Sequence, residues 1–332
     1  MKWALVGASR IAAGYMIRAF RAQPGGAVTA VLSADAQRGA AYAETHGIDR
    51  FFDDLDTLLA EADCDAVYIS TTNEKHCEQA LAAIAAGKHV LCEKPLAMSV
   101  ADAVRMVRAA EQAGVVFATN HHLRNAGSHL AIRELVSSGR LGPILSVRVF
   151  HAVSLPGALR GWRISDAAAG GGVIPDITVH DADTVRFHLG EDPVEVVAQM
   201  TNSGLGHGVE DSAMSIWKMP SGAMVSTHES FTHPFAGTGI EIHGTEGSVV
   251  ARGVMTQDPK GTVTLTDPEG THDIPYDTHD LYERSMGLFE AAVRGQGRPS
   301  ADGWDGVKSL AVALAVREAA RTGTAQKIDY GV

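Results

Sequence analysis

The sequence predicts an α/β protein of two domains, and three observations support this. Short apolar runs alternate with helical patterns through the first third of the chain, which indicates βαβ units and a parallel sheet. The chain then changes to strand-like segments with few helices and with hairpin turn signals between them. Finally, 332 residues are more than one domain usually holds. We expect domains at 1–122 and 123–332.

The first domain is predicted as an N-terminal parallel sheet flanked by helices. Its strands are expected at 4–6, 28–32, 66–70, 89–92 and 115–118. Its helices are expected at 11–22, 36–46, 55–60, 76–86 and 100–113.

The second domain is predicted as an α+β domain with a large, mostly antiparallel open sheet. Its strands are expected at 144–153, 194–201, 211–219, 223–230, 239–244, 248–252 and 262–266. Its helices are expected at 130–138, 177–189, 281–292 and 307–320. One face of such a sheet is left open. We expect either a homodimer, in which a second copy covers this face, or a monomer, in which the face is partly exposed to solvent.

Composition restricts the partners. The formal net charge of −11 opposes binding to nucleic acid and to anionic membranes. The three cysteines have no metal-ligand spacing, and no His and Asp spacing predicts a metal site. Reduced cysteines, the absence of a signal-peptide pattern and the lack of a membrane-length apolar run predict a cytoplasmic protein.

The hexamer from Gly7 to Ala12 follows the first strand and opens the first helix, as a dinucleotide fingerprint requires. Gly7 permits the tight turn, and a small residue at position 12 lets the helix approach the strand. Amides at the helix start then face a pyrophosphate. Ser9 replaces the middle glycine, and its hydroxyl can donate to a phosphate oxygen. By itself the hexamer is also compatible with an ordinary turn; the alternating pattern after it favours a Rossmann domain.

The end of the second strand favours NADP(H). NAD-preferring folds carry an acid there for the ribose hydroxyls, whereas this chain has Ser33, with Arg38 five residues on. A hydroxyl and a guanidinium suit a 2′-phosphate. Arg38 as a solvated helix charge is the alternative, and Asp35 could serve a ribose if the loop turned.

Two further segments are candidates for catalysis. Lys94 lies before Pro95 at the carboxyl end of a strand, where ligands of open α/β sheets bind, although a surface lysine is the alternative. Asp176 and His180 are four residues apart and share a helix face. The glycines at 170–172 just before them would allow a ligand to approach the backbone. Asp183 competes for the carboxylate role.

Together, the Gly-rich turn, the Glu93-Lys94-Pro95 segment and the Asp176 to His180 helix after its glycines resemble the glucose-fructose oxidoreductase, inositol dehydrogenase and rhizopine-catabolism family. The resemblance covers essentially the whole chain. It implies catalytic or substrate roles for Lys94, Asp176 and His180.

A narrower resemblance, to a branch that reduces a sugar ketone with NADPH, is carried by residues 7–9, 70–74, 91–98, 119–125 and 161–163. This branch differs from the chain at Arg10 and at 13–15, and Arg10 is a candidate for an added phosphate contact. With the turn glycine Gly7, the residues implied to line the cofactor are Ser9, Arg10, Ile11, Ser33, Arg38, Thr71, Thr72, Asn73, Glu74, Lys75, His76, Glu93, Lys94, Asn120, Trp162, Arg163 and Tyr282.

Three functions are therefore weighed. The leading one is an NADP-dependent reductase of a sugar ketone, in which His180 gives the proton and Lys94 holds the developing alkoxide. The second is a polyol, inositol or other sugar dehydrogenase of the same family. The third is a non-catalytic dinucleotide-binding sensor, whose expected sign would be the loss of Lys94 or His180.

Overall fold

The computed structural model describes residues 1–331 and divides into two compact units. Unit 1 consists of Met1–His121 and Tyr282–Val307. Unit 2 consists of His122–Leu281 and the described residues from Lys308 onward. No helix among residues 1–331 has the length and apolar character that crossing a membrane requires.

Unit 1 contains a parallel sheet of six strands, which confirms the predicted fold class. The strands are β1 (Lys2–Val6), β2 (Ala27–Leu32), β3 (Arg50–Phe52), β4 (Ala66–Ile69), β5 (His89–Cys92) and β6 (Phe117–Thr119). The helices between them are α1 (Ile17–Ala22), α2 (Ala36–His46), α3 (Leu55–Glu61), α4 (His76–Ala85) and α5 (Val100–Ala113). The sequence did not predict β3, because three residues are too few to show a strand period.

The strand order β3-β2-β1-β4-β5-β6 is that of a Rossmann fold. The order reverses between β1 and β4, and ligands of such sheets bind beyond the carboxyl ends of the strands at this point. Gly7 directly follows β1, and Ser70 directly follows β4. The topology therefore puts the predicted phosphate turn where a dinucleotide would bind.

Unit 2 is built on a sheet of nine strands, in the order β14-β13-β12-β11-β7-β10-β9-β8-β15. Among its described pairs, only β7 with β10 is parallel, so the prediction of a mostly antiparallel sheet is confirmed. The strands are β7 (Ile144–Ala152), β8 (Glu195–Thr201), β9 (Ser212–Lys218), β10 (Met224–Ser230), β11 (Thr238–Gly244), β12 (Ser248–Arg252), β13 (Thr262–Asp267), β14 (Gly270–Asp273) and β15 (Gln326–Lys327).

One face of this sheet is covered within unit 2 and the other is exposed. The inner face packs against helices α6 (Gly127–Ser137) and α7 (Val179–Leu189), with Trp217 fully buried. Along β9 the residues alternate, so that Met214 and Ile216 on the outer face are more than half exposed. The outer face thus carries apolar side chains that no element covers among the residues of unit 2 that the structure describes.

The predicted domain boundary is corrected by helices α8 (Leu281–Val293) and α9 (Gly303–Thr322). The prediction assigned all residues after 122 to the second domain, whereas Tyr282–Val307 belongs to unit 1. The reason is aromatic packing: the rings of Phe289 and Phe20 lie 5.1 and 4.2 Å from the Trp3 ring of β1. A contact across so much sequence leaves no local pattern.

Candidate functional site

The turn after β1 has the backbone geometry that a close approach needs. Gly7 has a φ of 116°, which residues with a Cβ rarely adopt. A Cβ on Gly7 would also lie 3.2 Å from the Ser70 carbonyl group and from the Thr71 methyl carbon. Gly7 is therefore needed where β1 and β4 end side by side, as the sequence predicted.

Ser9 organises this turn from within. Its Oγ accepts a hydrogen bond from the Ala12 N–H at 3.1 Å and lies 2.8 Å from the Ser70 Oγ. Tyr42 of α2 donates to the Ser9 carbonyl oxygen at 2.9 Å. The sequence missed Tyr42, because no local signal connects it to a turn so far away. Donation from Ser9 to a phosphate stays a prediction.

The helix after the turn begins with a wide, π-type turn at Ala12–Met16 and becomes α-helical over Ile17–Ala22. The helix predicted at 11–22 is present, but its π-type start was not predicted, because apolar spacing does not separate i→i+5 from i→i+4 hydrogen bonding. Such turns are rare in proteins, but those that occur are often found at functional sites. Ala12 is fully buried, as expected of the small residue at this position. Before it, Arg10 is exposed and Ile11 half-buried.

At the end of β2, a guanidinium lies next to a neutral hydroxyl. Arg38 donates from Nη2 to Ser33 Oγ over 3.3 Å. Asp35 Oδ1 accepts a hydrogen bond from the Arg38 backbone N–H at 2.9 Å and caps α2. This carboxylate is therefore used at the helix start. Ser33 with Arg38 leaves a positive site where NAD-preferring folds carry an acid.

The stretch after β4 is divided between surface and interior. Its half-buried or exposed members are Thr71, Thr72, Glu74 and Lys75. Asn73 is buried at the start of a short 3-10 turn. Only the exposed and half-buried residues of this stretch are accessible to a cofactor, and their contact with one stays a prediction.

His76 has a different position from the one predicted. Its side chain is fully buried, with Nδ1 2.9 Å from the Pro95 carbonyl oxygen and Nε2 3.3 Å from that of Thr71. Burial lowers the pKa of His76 and favours the neutral ring. The ring thus braces two loops from behind, and a direct cofactor contact does not fit this position.

The Glu93-Lys94-Pro95 segment follows β5, and its Lys94–Pro95 peptide bond is cis. The Glu93 carboxylate accepts hydrogen bonds from the Tyr68 hydroxyl and, at 2.6 Å, from the Asn120 amide. Burial raises the pKa of Glu93, while these two donors act in the opposite direction. Glu93 and Asn120 therefore hold each other beside Lys94, which is half-buried.

Tyr282 is buried, and its ring centroid lies 5.0 Å from that of Tyr15. Tyr15 follows the phosphate turn, so Tyr282 supports the helix that starts there. A direct contact of Tyr282 with a cofactor stays a prediction.

In unit 2, other segments of the protein pack directly against the glycines before Asp176. A Cβ on Gly171 would lie 2.6 Å from the Trp162 carbonyl oxygen, and one on Gly172 would meet the Glu210 carboxylate. The expectation that these glycines open the backbone to a ligand is wrong, because both are buried against neighbouring segments.

Asp176 and His180 lie on consecutive helical turns. Asp176 is half-buried in a second π-type turn, Ile174–Thr178, and His180 is in the first turn of α7. The His122 ring lies 4.9 Å from the His180 ring in an edge-to-face arrangement. Within unit 2, His122 therefore contacts His180.

Trp162 and Arg163 lie together in a short 3-10 segment, Gly161–Ile164. The guanidinium carbon of Arg163 is 4.6 Å from the Trp162 ring centroid, and Arg163 Nε is 3.4 Å from Asp176 Oδ2. Both side chains are half-buried. The structure thus brings Arg163 to the candidate carboxylate, and a contact with the cofactor stays a prediction.

Asp183, the competing carboxylate, has a structural role. Its two oxygens accept from Arg124 Nε and Nη2 at 2.8 and 2.7 Å, and both side chains are buried. An acid occupied in this way is not available to a substrate, so Asp176 remains the candidate.

Comparison with known proteins agrees with this arrangement. A model of an oxidoreductase family with an NAD-binding Rossmann fold matches residues 1–121, and a GFO/IDH/MocA C-terminal domain model matches residues 129–250. The chain is 54% identical to 1,5-anhydro-D-fructose reductase of Ensifer adhaerens, over 100% of this chain and 99% of that protein. It is 30% identical to D-xylose 1-dehydrogenase (NADP(+)) 2 of Haloferax volcanii, over 99% and 100%.

Among solved structures, aldose-aldose oxidoreductase from Caulobacter crescentus, complexed with glycerol, superposes with a TM-score of 0.89 at 26% identity, over 99% of both chains. The two domain models and the identity over the whole chain show that this protein is an oxidoreductase of the sugar-active GFO/IDH/MocA family, named for glucose-fructose oxidoreductase, inositol dehydrogenase and rhizopine catabolism.

Proposed function

We propose that the protein reduces 1,5-anhydro-D-fructose to 1,5-anhydro-D-mannitol with NADPH. The observation that carries this proposal is the 54% identity, over the full length, to a protein named for reduction of that sugar. Lys94, Asp176 and His180 are all present, which a non-catalytic sensor would not require.

A bound nicotinamide dinucleotide would supply the hydride to the ketone carbon. His180 gives the proton that the ketone oxygen needs, as a general acid, the role in which histidine is used most often. Lys94 stabilises the negative charge that develops on this oxygen. Asp176 accepts a hydrogen bond from a sugar hydroxyl and so fixes the orientation of the substrate. The product alcohol thus contains one hydride and one proton.

NADPH is proposed over NADH because of the groups after β2. Arg38 offers a cation to a 2′-phosphate, the neutral Ser33 beside it does not repel one, and Asp35 is already capping a helix. Gly7 and the amides at the start of the next helix suit the pyrophosphate. The residues present therefore fit the phosphorylated cofactor.

The test is NADPH oxidation, measured by absorbance, with 1,5-anhydro-D-fructose beside simple ketoses, and NADP reduction with myo-inositol and D-xylose. We expect turnover of the anhydro sugar and a product that co-elutes with 1,5-anhydro-D-mannitol. Turnover of inositol or xylose alone would instead support the dehydrogenase alternative. Dinucleotide binding without turnover of any substrate would support the sensor.

Substitutions of His180 and Lys94 test their proposed catalytic roles. His180→Ala and Lys94→Met should each lower kcat by about 10²- to 10⁴-fold. His207→Ala is the matched control, because His207 is exposed on a loop of unit 2 and uses only its backbone N–H, at 2.7 Å from Ile164 O. Near-normal turnover in His180→Ala would overturn the role of His180.

A homodimer through the outer sheet face is proposed as the assembly. Its support is the exposed apolar row of Met214, Ile216 and Met224, beside a groove of about 910 Å³. Sedimentation velocity should give a dimer that Ile216→Glu dissociates. A monomer in the unmutated protein would contradict it.

A further inference from the structure

Glu210 closes the N-terminal end of the helical segment that carries Asp176 and His180. The first backbone N–H groups of any helix lack partners within the helix. Here the Val173 N–H donates to the Glu210 main-chain oxygen at 3.0 Å, and the Ile174 N–H donates to Glu210 Oε1 at 3.1 Å. One residue therefore satisfies two of the donors, through its backbone and through its side chain.

Gly172 makes room for this contact. It has a φ of 115°, and a Cβ on it would lie 2.3 Å from Glu210 Oε1 and 2.8 Å from Oε2. Any larger residue at 172 would push the carboxylate away from the Ile174 N–H. The glycine before the helix is therefore explained by the Glu210 side chain.

The backbone of Glu210 is itself held by its neighbour, Asp211. The fully buried Asp211 carboxylate accepts hydrogen bonds from Ser203 N, Ser203 Oγ, Leu205 N and Gly206 N at 2.7, 2.6, 2.8 and 2.9 Å. Burial opposes its ionisation, but these donors outweigh that effect and lower the pKa of Asp211. The loop that presents Glu210 is thus fixed by four hydrogen bonds.

A second segment holds the other side of the same helix start. The Gly172 N–H donates to the Arg163 carbonyl oxygen at 2.8 Å, and Arg163 Nε lies 3.4 Å from the Asp176 carboxylate. Val173 and Ile174 are therefore held by Glu210, while Asp176 is approached by Arg163. π-type turns are rare and are often found at functional sites, and here these contacts hold the start of the turn from outside the helix.

We infer that Glu210 is a positioning residue for the reduction: by binding the Val173 and Ile174 amides it fixes the turn that contains Asp176 and the direction in which His180 points. This rests on the proposed function. Ordinary helix capping is the competing explanation, in which Glu210 contributes stability and folded molecules keep their full rate.

Three substitutions separate the two explanations. Glu210→Ala removes the acceptor, Glu210→Asp withdraws it by one methylene and keeps the charge, and Glu210→Gln keeps an amide oxygen within reach of the Ile174 N–H. Glu269→Ala is the control, because the Glu269 side chain is 79% exposed and lies on a hairpin of the same unit.

Two readouts are needed: kcat with KM for the anhydro sugar, and hydrogen exchange of the amides at 173–178. We expect Glu210→Ala and Glu210→Asp to lower kcat by roughly 10- to 100-fold, as small displacements of catalytic groups do. The dissociation constant of NADPH should be unchanged, and exchange of the Ile174 amide, which the side chain of Glu210 binds, should be faster. Glu210→Gln should restore both kcat and protection. If Glu210→Ala does not fold, the comparison of Asp with Gln makes the same test.

Loss of amide protection with an unchanged kcat would overturn the positioning role. So would a Gln variant as slow as the Ala or Asp variant, because the acceptor alone would then not suffice. If the unmutated enzyme does not turn over the anhydro sugar, the proposed function fails. The exchange data would still report whether Glu210 holds the helix start, so the two failures are distinguishable.

Discussion

Arg163 Nε lies 3.4 Å from Asp176 Oδ2, in a contact that joins a short 3-10 segment to the turn of the candidate catalytic helix. The main chain of Arg163 also accepts the Gly172 N–H. Arg163 therefore holds the segment before this turn through its backbone, and it holds the Asp176 carboxylate through its side chain. The ion pair is thus part of the candidate site.

Arg163→Met should raise KM for the anhydro sugar and lower kcat, together by roughly 10-fold in kcat/KM, because Asp176 would lose the cation that orients it. Arg163→Lys keeps a cation near Asp176 and should therefore lower kcat/KM less than Arg163→Met does. NADPH affinity, measured by fluorescence titration, should change little if Arg163 acts through Asp176. A large loss of NADPH affinity at unchanged sugar KM would instead support the predicted cofactor contact. Arg321→Met, exposed and remote in sequence, is the control.

Ser33 and Arg38 should decide between the two dinucleotides. Arg38→Ala should weaken NADPH binding by roughly 10- to 100-fold and leave NADH binding nearly unchanged, because only NADPH carries the 2′-phosphate. Ser33→Asp should act in the same direction by repulsion and improve NADH use through the ribose hydroxyls. Titration of both dinucleotides checks this, with Arg108→Ala, on an exposed face of α5, as the control. Equal losses for NADPH and NADH would contradict the assignment.

The sequence was sufficient to select candidate residues wherever the signal lies between neighbours in the chain. Gly7, Ser33 and Arg38 were recognisable because each stands at a fixed offset from a strand end. Asp176 and His180 were recognisable because four residues make nearly one helical turn.

The partners of these groups could not be predicted, because they come from distant segments. Tyr42 reaches Ser9 across 33 residues, and Glu210 reaches Ile174 across 36. Nor does any residue period predict a π-type turn, which depends on contacts outside the helix. Phe289, whose contact with Trp3 assigns α8 to unit 1, shows the same limit at the level of the domain.

The buried Arg124–Asp183 pair should matter for stability. Asp183→Asn should cost about 3–5 kcal/mol, because it removes the buried negative charge that two nitrogens of Arg124 bind. Arg124→Met should cost less, since Arg186 Nη1 lies 3.9 Å from Asp183 Oδ1 and remains as a cation partner. Urea unfolding measures both. Glu318→Gln in an exposed pair should have little effect. Equal costs for the two buried substitutions would contradict the role given to Arg186.

His129 and His188 form a buried pair whose protons can be assigned. His129 Nε2 lies 3.2 Å from the Val254 carbonyl oxygen, which only accepts, so this nitrogen carries the proton. Burial lowers the pKa of both rings and so favours their neutral forms in the folded protein. In a neutral His129 ring, Nδ1 accepts from His188 Nε2, 3.0 Å away. His188 Nδ1 is then a buried acceptor with no hydrogen-bond partner among the described residues.

This neutrality predicts acid sensitivity. Burial lowers the pKa of His129 to about 4, and the nearby His151 acts in the same direction. Burial also lowers the pKa of His188 well below its usual value, and the nearby His129, Arg133 and Arg124 add to this effect. In the unfolded chain both titrate near pH 6.5. Above that pH neither state binds the protons and stability is unaffected. As pH falls from about 6.5 to about 4, only the unfolded chain binds them, so the free energy of unfolding decreases.

Below about pH 6.5 the expected slope is about 1.4 kcal/mol per pH unit for each histidine, and urea unfolding free energies between pH 7.5 and pH 4.5 measure it. His188→Leu removes one of the two titrating groups and should reduce the slope by about that amount, even though its stability at pH 7.5 falls through loss of the hydrogen bond to His129. His207→Gln, at an exposed histidine, should leave the slope unchanged, because His207 is solvated in both states. An identical slope in His188→Leu and the unmutated protein would show that the acid sensitivity comes from other groups.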